Sequence, residues 1–345
     1  MRKIFHVVLI GFTTFNTHAT PVVTSNTKNI SNGFIKNNGQ FVDEHQLFRN
    51  DILFVFSSTS FKLILKNTGF SYELSATVGA NSGNYESGYV SPALNDDQDL
   101  DEPQQHSLVT RIDVDFVNAQ KNMSVEALDP ATYYFNFYTQ DKPVTHVPVF
   151  RKICYHDVYR GIDLVFYCQQ EPGGQFTVKY DWIIGNGGNA NDIALIYKGA
   201  KQMKIRDDGS LYLGGEIGFV AEGAPEVITE SNAVGTPAYY KLVGNKLTFE
   251  NVSVEKNKDV IIDPVISWGL YIGGDKKELP DEIVVDDSEH VYVTGRTLSQ
   301  IFYVHSVEVA SIDSNKHFDA FLSKFDASGN LLWCTYYGGP DDEKP

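Results

Sequence analysis

The sequence predicts an all-β protein, with an N-terminal antiparallel β-sandwich-like domain followed by the first blade or blades of a β-propeller. Three observations carry that expectation. Phe, Tyr and Trp make up 13% of the 345 residues, and flat side chains favour the pleated surface of strands. Period-two alternation of polar and apolar residues recurs along the chain, while helical periodicity is nearly absent. Finally, a segment occurs twice. Trp268–Pro280 reads WGLYIGGDKKELP and Trp333–Pro345 reads WCTYYGGPDDEKP, 65 residues later. Six positions coincide: Trp268/Trp333, Tyr271/Tyr336, Gly273/Gly338, Gly274/Gly339, Glu278/Glu343 and Pro280/Pro345. Chance gives roughly one such match at average residue usage. A repeat of fixed period is one supersecondary unit that needs neighbours to bury its apolar face. One unit plus the start of another is too little for a stable array, so the chain is expected to be a fragment of something longer.

The elements follow in order. Arg2 and Lys3 precede the mostly apolar run from Ile4 to Phe15, and Ala19 is a small residue at cleavage distance. This is the pattern of a signal peptide over residues 1–19. Residues 20–32 are rich in Asn, Ser and Thr and read as a polar lead-in. An N-terminal β domain is expected over residues 33–262. Its strands are Phe61–Leu65, Arg111–Phe116, Tyr133–Tyr138, Val149–Tyr155, Ile162–Tyr167 and Phe176–Ile183, the second alternating at period two as a half-buried strand should. Asp207-Asp208-Gly209-Ser210 reads as a hairpin turn between Met203–Arg206 and Leu211–Leu213, Gly209 supplying the positive φ. Asp192–Ile196 suggests a short helical turn. Residues 78–107 break the rhythm with Gly, Ser and Asn and then the acidic run Asn95–Glu102. They read as a mobile insertion. The run has oxygen ligands but lacks the central Gly and terminal bidentate Glu of a calcium loop.

Pro264 marks a boundary, because proline cannot donate to a ladder, and residues 263–345 hold the repeat. Its four strands are read as Ile266–Ile272, Glu282–Val285, Val291–Thr294 and Ala320–Phe325, with Leu331–Tyr337 opening the next unit. Two alike turns, Asp286–His290 and Asp326–Asn330, separate apolar strands, and Leu298–Lys316 is an extended loop. Four short antiparallel strands per repeat is the make-up of a propeller blade.

These residues carry a resemblance. The tracts Tyr271–Gly274, Ile283–Asp286, Val291–Gly295 and Asp319–Trp333 are similar to the bacterial SBBP-repeat family, named for a seven-bladed β-propeller. Phe34–Phe41 (FIKNNGQF), Val158–Tyr167 (VYRGIDLVFY), Lys179–Ile184 (KYDWII) and Val260–Pro264 (VIIDP) resemble the domain of unknown function that precedes such repeats. The resemblance implies an exported protein with further propeller blades beyond Pro345. Lys276-Lys277 departs from the family pattern, where small or acidic residues are usual, which implies a different local loop.

Chemistry is sparse. The net charge of −16 repels phosphate backbones, so nucleic acid is not expected as a partner. No other apolar run is long enough to span a membrane. The chain has no GxSxG, HExxH, Walker or GxGxxG motif, no CxxC and no His/Cys cluster at zinc spacing. No catalytic residue, cofactor or metal is therefore expected. The Gly-rich Gly185–Asn189 follows a strand without a helix to present an anion site and reads as a loop. His156 and Asp157 are adjacent, which on a strand sends them to opposite faces, and Asp157 suits a turn cap. Cys154 and Cys168 could form a disulfide across a hairpin. A turn near Tyr159, however, sets Cys154 opposite about residue 164, and bridging needs Cα atoms within ~7 Å. Buried thiols are the other reading. The repeat-locked aromatics Trp268, Tyr271, Trp333, Tyr336 and Tyr337 suit inter-blade packing. The apolar stretch Ile301, Phe302, Tyr303, Val304 in the long loop is the candidate ligand-binding loop, since insertions in repeats often line one binding face. Two functions fit. One is a non-enzymatic surface or secreted protein binding a protein or carbohydrate. The other is an exported enzyme, such as a hydrolase, whose catalytic residues lie outside this stretch.

Overall fold

The computed structural model describes residues 32–43, 47–58, 61–78, 106–138, 143–170, 176–215, 217–229, 232–252, 259–270, 273–274, 278–286, 288, 290–299, 302–304, 307–309, 317–325, 331–339 and 341–343. The signal-like segment, the lead-in except Asn32, and the acidic run lie outside these residues. Among the described residues the chain is all-β and every strand pairing is antiparallel. Contacts divide it into two units, residues 16–74 with 109–270, and residues 1–15, 75–108 and 271–345.

In the large sheet, β1 (Phe34–Lys36), β2 (Ile52–Ser57), β3 (Phe61–Lys66), β4 (Gly69–Val78) and β5 (His106–Phe116) are neighbours in chain order. A second meander follows: β6 (Ser124–Phe137), β7 (Val144–Tyr159), β8 (Ile162–Gln170) and β9 (Phe176–Ile184). The two are joined where β1 pairs with β7, Phe34 lying across from Phe150. β10 (Ala194–Lys198) extends the sheet beyond β5. A single 3₁₀ turn, Ala190–Asp192, precedes it, and the Asn189 side chain accepts the Asn191 N–H. The turn thus sits earlier than Asp192–Ile196, because the apolar residues after Ile193 are taken into β10. The chain then leaves this sheet for β11 (Gln202–Ile205), β12 (Leu211–Gly214) and β13 (Gly218–Glu222). It returns with β14 (Glu226–Thr229), β15 (Asn232–Pro237), β16 (Tyr239–Val243), β17 (Lys246–Glu250) and β18 (Val260–Asp263), which pairs with β9.

Alternation decides which side chains meet. On β9, Val178, Tyr180, Trp182 and Ile184 are buried and the residues between them are only partly so. Side chains from β4 and β5 meet those from strands far along the same sheet. Phe70 lies 5.2 Å edge-on from Phe166 of β8, and Phe116 lies 5.9 Å from Tyr155 of β7 and 6.1 Å from Trp182 of β9. Burying each such ring is worth about 1.5–3 kcal/mol, with ~0.5–1.5 kcal/mol more from edge-to-face geometry. A further cluster gathers Ile35, Phe41, Ile52, Val55, Ile64, Phe137, Val147 and Val149.

β11, β12 and β13 form a separate four-stranded sheet with β19 (Ile266–Leu270), Val220 lying across from Trp268. The β11–β12 turn closes through the Arg206 N–H donating to the Ser210 carbonyl at 2.8 Å. Gly209 sits at φ +82°, where a side chain would be strained.

The smaller unit contains β20 (Gly273–Gly274), β21 (Glu278–Val285), β22 (Val291–Thr297), β23 (Phe302–Val304), β24 (Val307–Val309), β25 (Asp319–Phe325) and β26 (Leu331–Tyr337). β21, β22, β25 and β26 form a four-stranded sheet around Val291, Val293, Phe321 and Phe325. The expected first strand of the repeat, Ile266–Ile272, therefore pairs elsewhere as β19, and Leu331–Tyr337 completes its own sheet instead of opening another. A repeat establishes a period and leaves the phase undetermined. Each Trp-led segment ends a four-stranded sheet.

Candidate functional site

The described residues with metal-ligating chemistry in one place are Cys154, His156 and Asp163. Cys154 and His156 are two apart on β7, so strand geometry puts them on one face. β6 flanks one side, with Glu126 across from Cys154, and β8 flanks the other. The β7–β8 pairing shifts register between Tyr155 and Tyr159. Such a bulge re-aims side chains. Asp157 takes φ +52° there. Its N–H donates to Asp163 Oδ1 at 2.8 Å, and its own Oδ1 accepts the Gly161 N–H at 3.1 Å. The expected turn cap is present, and the same bulge anchors one oxygen of Asp163 while the other faces His156.

The distances are short. His156 Nδ1 lies 3.1 Å from Asp163 Oδ2 and 3.5 Å from Cys154 Sγ, and His156 Nε2 lies 3.0 Å from Glu126 Oε2. Cys154 is 5% exposed, whereas the His156 and Asp163 side chains are 39% and 33% exposed, so solvent reaches the cluster from one side. The Glu126 hydrogen bond, seconded by Asp163 against the opposing effect of burial, raises the His156 pKa. Burial pushes the Cys154 thiol up to about 11, with the Asp163 charge adding to it, so Cys154 is not an activated thiolate nucleophile.

A second titratable cluster is sealed. Glu222 on β13 is 0% exposed. Its carboxylate accepts hydrogen bonds from Tyr72 at 2.9 Å, Tyr197 at 2.8 Å and Tyr180 at 2.5 Å. Burial raises the Glu222 pKa against those three donors. No substrate reaches a carboxylate so enclosed. It joins β13 to β4, β9 and β10.

The residues singled out from sequence fall as follows. Phe302, Tyr303 and Val304 form β23, in which Tyr303 lies across from Gly273 and Val304 from Val307; Ile301 lies outside the described residues. Cys154 and Cys168 are both free thiols. Cys154 lies across from Val165 and Cys168 from Val178, so the register separates them. Sequence reasoning does not group Cys154, His156, Asp163 and Glu126, because they stand on three strands and His156 is read beside its neighbour Asp157. The legible signal was the Cys-x-His spacing at strand period, followed by a hairpin return bearing Asp163.

Residues 34–265 match the model of a family described as a domain of unknown function, DUF7948. No curated protein and no solved structure matches the chain.

Proposed function

The chain belongs to the DUF7948 family, and from that premise we propose that it is an exported, non-enzymatic protein that binds a protein or carbohydrate surface on a β-propeller scaffold, its N-terminal domain being sandwich-like. The observation that carries the scaffold reading is the β21–β22–β25–β26 sheet, which exposes apolar side chains on both faces. Strand partners share a face. Ile283 and Val285 lie opposite Val293 and Val291 on one face, and Val284, Leu322, Trp333 and Tyr337 belong to the other. Ile283, Val284, Val285, Trp333 and Tyr337 are exposed. A sheet apolar on both sides is the unit of an array that covers each face with a neighbour.

The β11–β12–β13–β19 sheet supports the same reading. Like the other it has four antiparallel strands and ends in a strand with Trp at its third position. The Arg206-to-Ser210 bond that closes its first hairpin is matched by the Asp286 N–H donating to the His290 carbonyl at 3.0 Å. Two residues beyond each closure stand Tyr212 and Tyr292, with Arg206 4.4 Å over the first ring and Lys324 4.9 Å over the second. The edge-on aromatic contacts that side chains of β4 and β5 make with those of β8 and β9 support the sandwich-like reading of the larger sheet.

Binding is assigned first to the Ile301–Val304 stretch, because framework positions of a repeat serve packing. The test is attachment of the purified protein to immobilised glycans, matrix proteins and whole cells. Phe302→Ser with Tyr303→Ser is expected to weaken attachment at unchanged melting temperature. Unchanged attachment removes β23 from the reading. Turnover of a glycan or peptide panel, abolished by one point substitution, would overturn the non-enzymatic reading itself.

A further inference from the structure

We propose that Cys154 Sγ, His156 Nδ1 and Asp163 Oδ2 form a three-ligand site for a divalent transition-metal ion of the zinc class, with Glu126 fixing the imidazole. The donor set is thiolate, imidazole and carboxylate, which suits a borderline-soft ion and disfavours calcium or magnesium. With metal–sulfur bonds of about 2.3 Å and metal–nitrogen or –oxygen bonds of about 2.0–2.1 Å, a tetrahedral centre sets neighbouring ligand atoms about 3.3–3.6 Å apart. The sulfur–nitrogen edge is 3.5 Å and the nitrogen–oxygen edge 3.1 Å. The third edge, sulfur to oxygen, is no longer than 4.8 Å and would have to shorten when an ion binds.

The surroundings meet a second requirement. A ligating histidine needs its other ring nitrogen engaged, so that the metal-facing one presents a lone pair. Glu126 Oε2, 3.0 Å from Nε2, is that partner, and the Nε2–H donates to it when Nδ1 binds metal. Asp163 is likewise held by its second oxygen, which accepts the Asp157 N–H. All the ligands stand on β7 and β8 beside the bulge, so they are supplied by paired strands and not by a loop. Three protein ligands leave a fourth position toward solvent for water or for a donor on a bound partner. Binding displaces the thiol proton and the proton on Nδ1. Without metal, the imidazole is an ion-pair partner of two carboxylates, which is the competing account of the same geometry.

Cobalt(II) distinguishes the two. The reduced full-length protein carrying Cys168→Ser and Cys334→Ser, so that Cys154 is its one thiol, is titrated with cobalt(II) chloride and then with zinc chloride. Expected is saturation at one equivalent, with a thiolate-to-cobalt charge-transfer band that zinc abolishes. Cys154→Ser should remove the band, and His156→Gln should weaken zinc binding at least ~100-fold. Glu126→Gln, on an exposed side chain outside the ligand set, should weaken it about 10–100-fold while circular dichroism stays unchanged. Absence of saturable binding, or a band and affinity indifferent to all three substitutions, would overturn the site. Full affinity in Glu126→Gln alone would remove Glu126 from it.

Discussion

At Glu222, three tyrosine hydroxyls stand where water would otherwise solvate a carboxylate. A buried acceptor removed from three donors leaves each donor unsatisfied at about 1–3 kcal/mol. Glu222→Leu should therefore lower stability by at least ~3 kcal/mol and Tyr180→Phe by about 1–3 kcal/mol, measured by urea unfolding. The pH dependence has a definite sign. The Glu222 pKa is raised in the fold, so the folded state binds the extra proton. Its contribution is present at low pH and declines as pH rises from the ordinary glutamate value through the folded one. Asp113 behaves oppositely. Burial alone would raise it, but hydrogen bonds from Lys66 at 2.7 Å and Ser71 at 2.5 Å, with the Arg111 charge, hold it down at about 2. Its contribution is present above the ordinary value of 3.8 and fades as pH falls toward about 2. Asp113→Asn should flatten the melting temperature between those limits, and an unchanged slope would show that the Lys66–Asp113–Arg111 group carries no net stability. Neither constellation was legible in the sequence. Tyr72 and Glu222 are 150 residues apart, and no spacing rule connects a tyrosine on one sheet with a glutamate on another. Asp157 was legible, because a turn cap is a local arrangement.

At the scale of elements, an apolar run places Phe61–Leu65, and period-two alternation places Arg111–Phe116, Ile162–Tyr167 and Phe176–Ile183, within a few residues of β3, β5, β8 and β9. Alternation passes over β4 and reaches only the end of the long β6, through Tyr133–Tyr138. Ser71 and Glu73 are buried polar residues that blur the pattern on β4. The turn into β4 is a point of close approach. Gly69 lies at φ +156°, and a Cβ there would sit 1.9 Å from the Val114 carbonyl oxygen of β5. Gly69→Ala must push the two strands apart, at a cost above ~2 kcal/mol, which chemical denaturation would reveal. A variant as stable as the parent would mean that β5 is free to shift. The repeat is legible as a match between two segments, but the sheets are one strand out of phase with the expected units, since partners such as β13 are fixed by tertiary pairing and not by period.

For the whole molecule, the boundary matters. The sequence places it at Pro264, but β19 lies beyond and covers the edge of β13, with Glu222 across from Ile266. A chain ending at Leu270 should retain the cooperative melting of the larger unit. One ending at Pro264 leaves that edge bare beside a buried carboxylate and should melt several degrees lower, at roughly 2–4 °C per kcal/mol. Equal melting of the two would show that β19 adds nothing to the larger unit. The all-β class was legible because composition and alternation are summed over many residues. The course of the large sheet was not, because β1 finds its partner on β7 across more than a hundred residues, Phe34 against Phe150. That pairing has a consequence in time. At about 5–20 residues per second, the ribosome completes β7 roughly 6–25 seconds after it has made β1. Throughout that interval β1 has β2 on one edge while its other edge, the one that β7 will cover, stays open, so the larger sheet cannot be completed in the order in which it is translated.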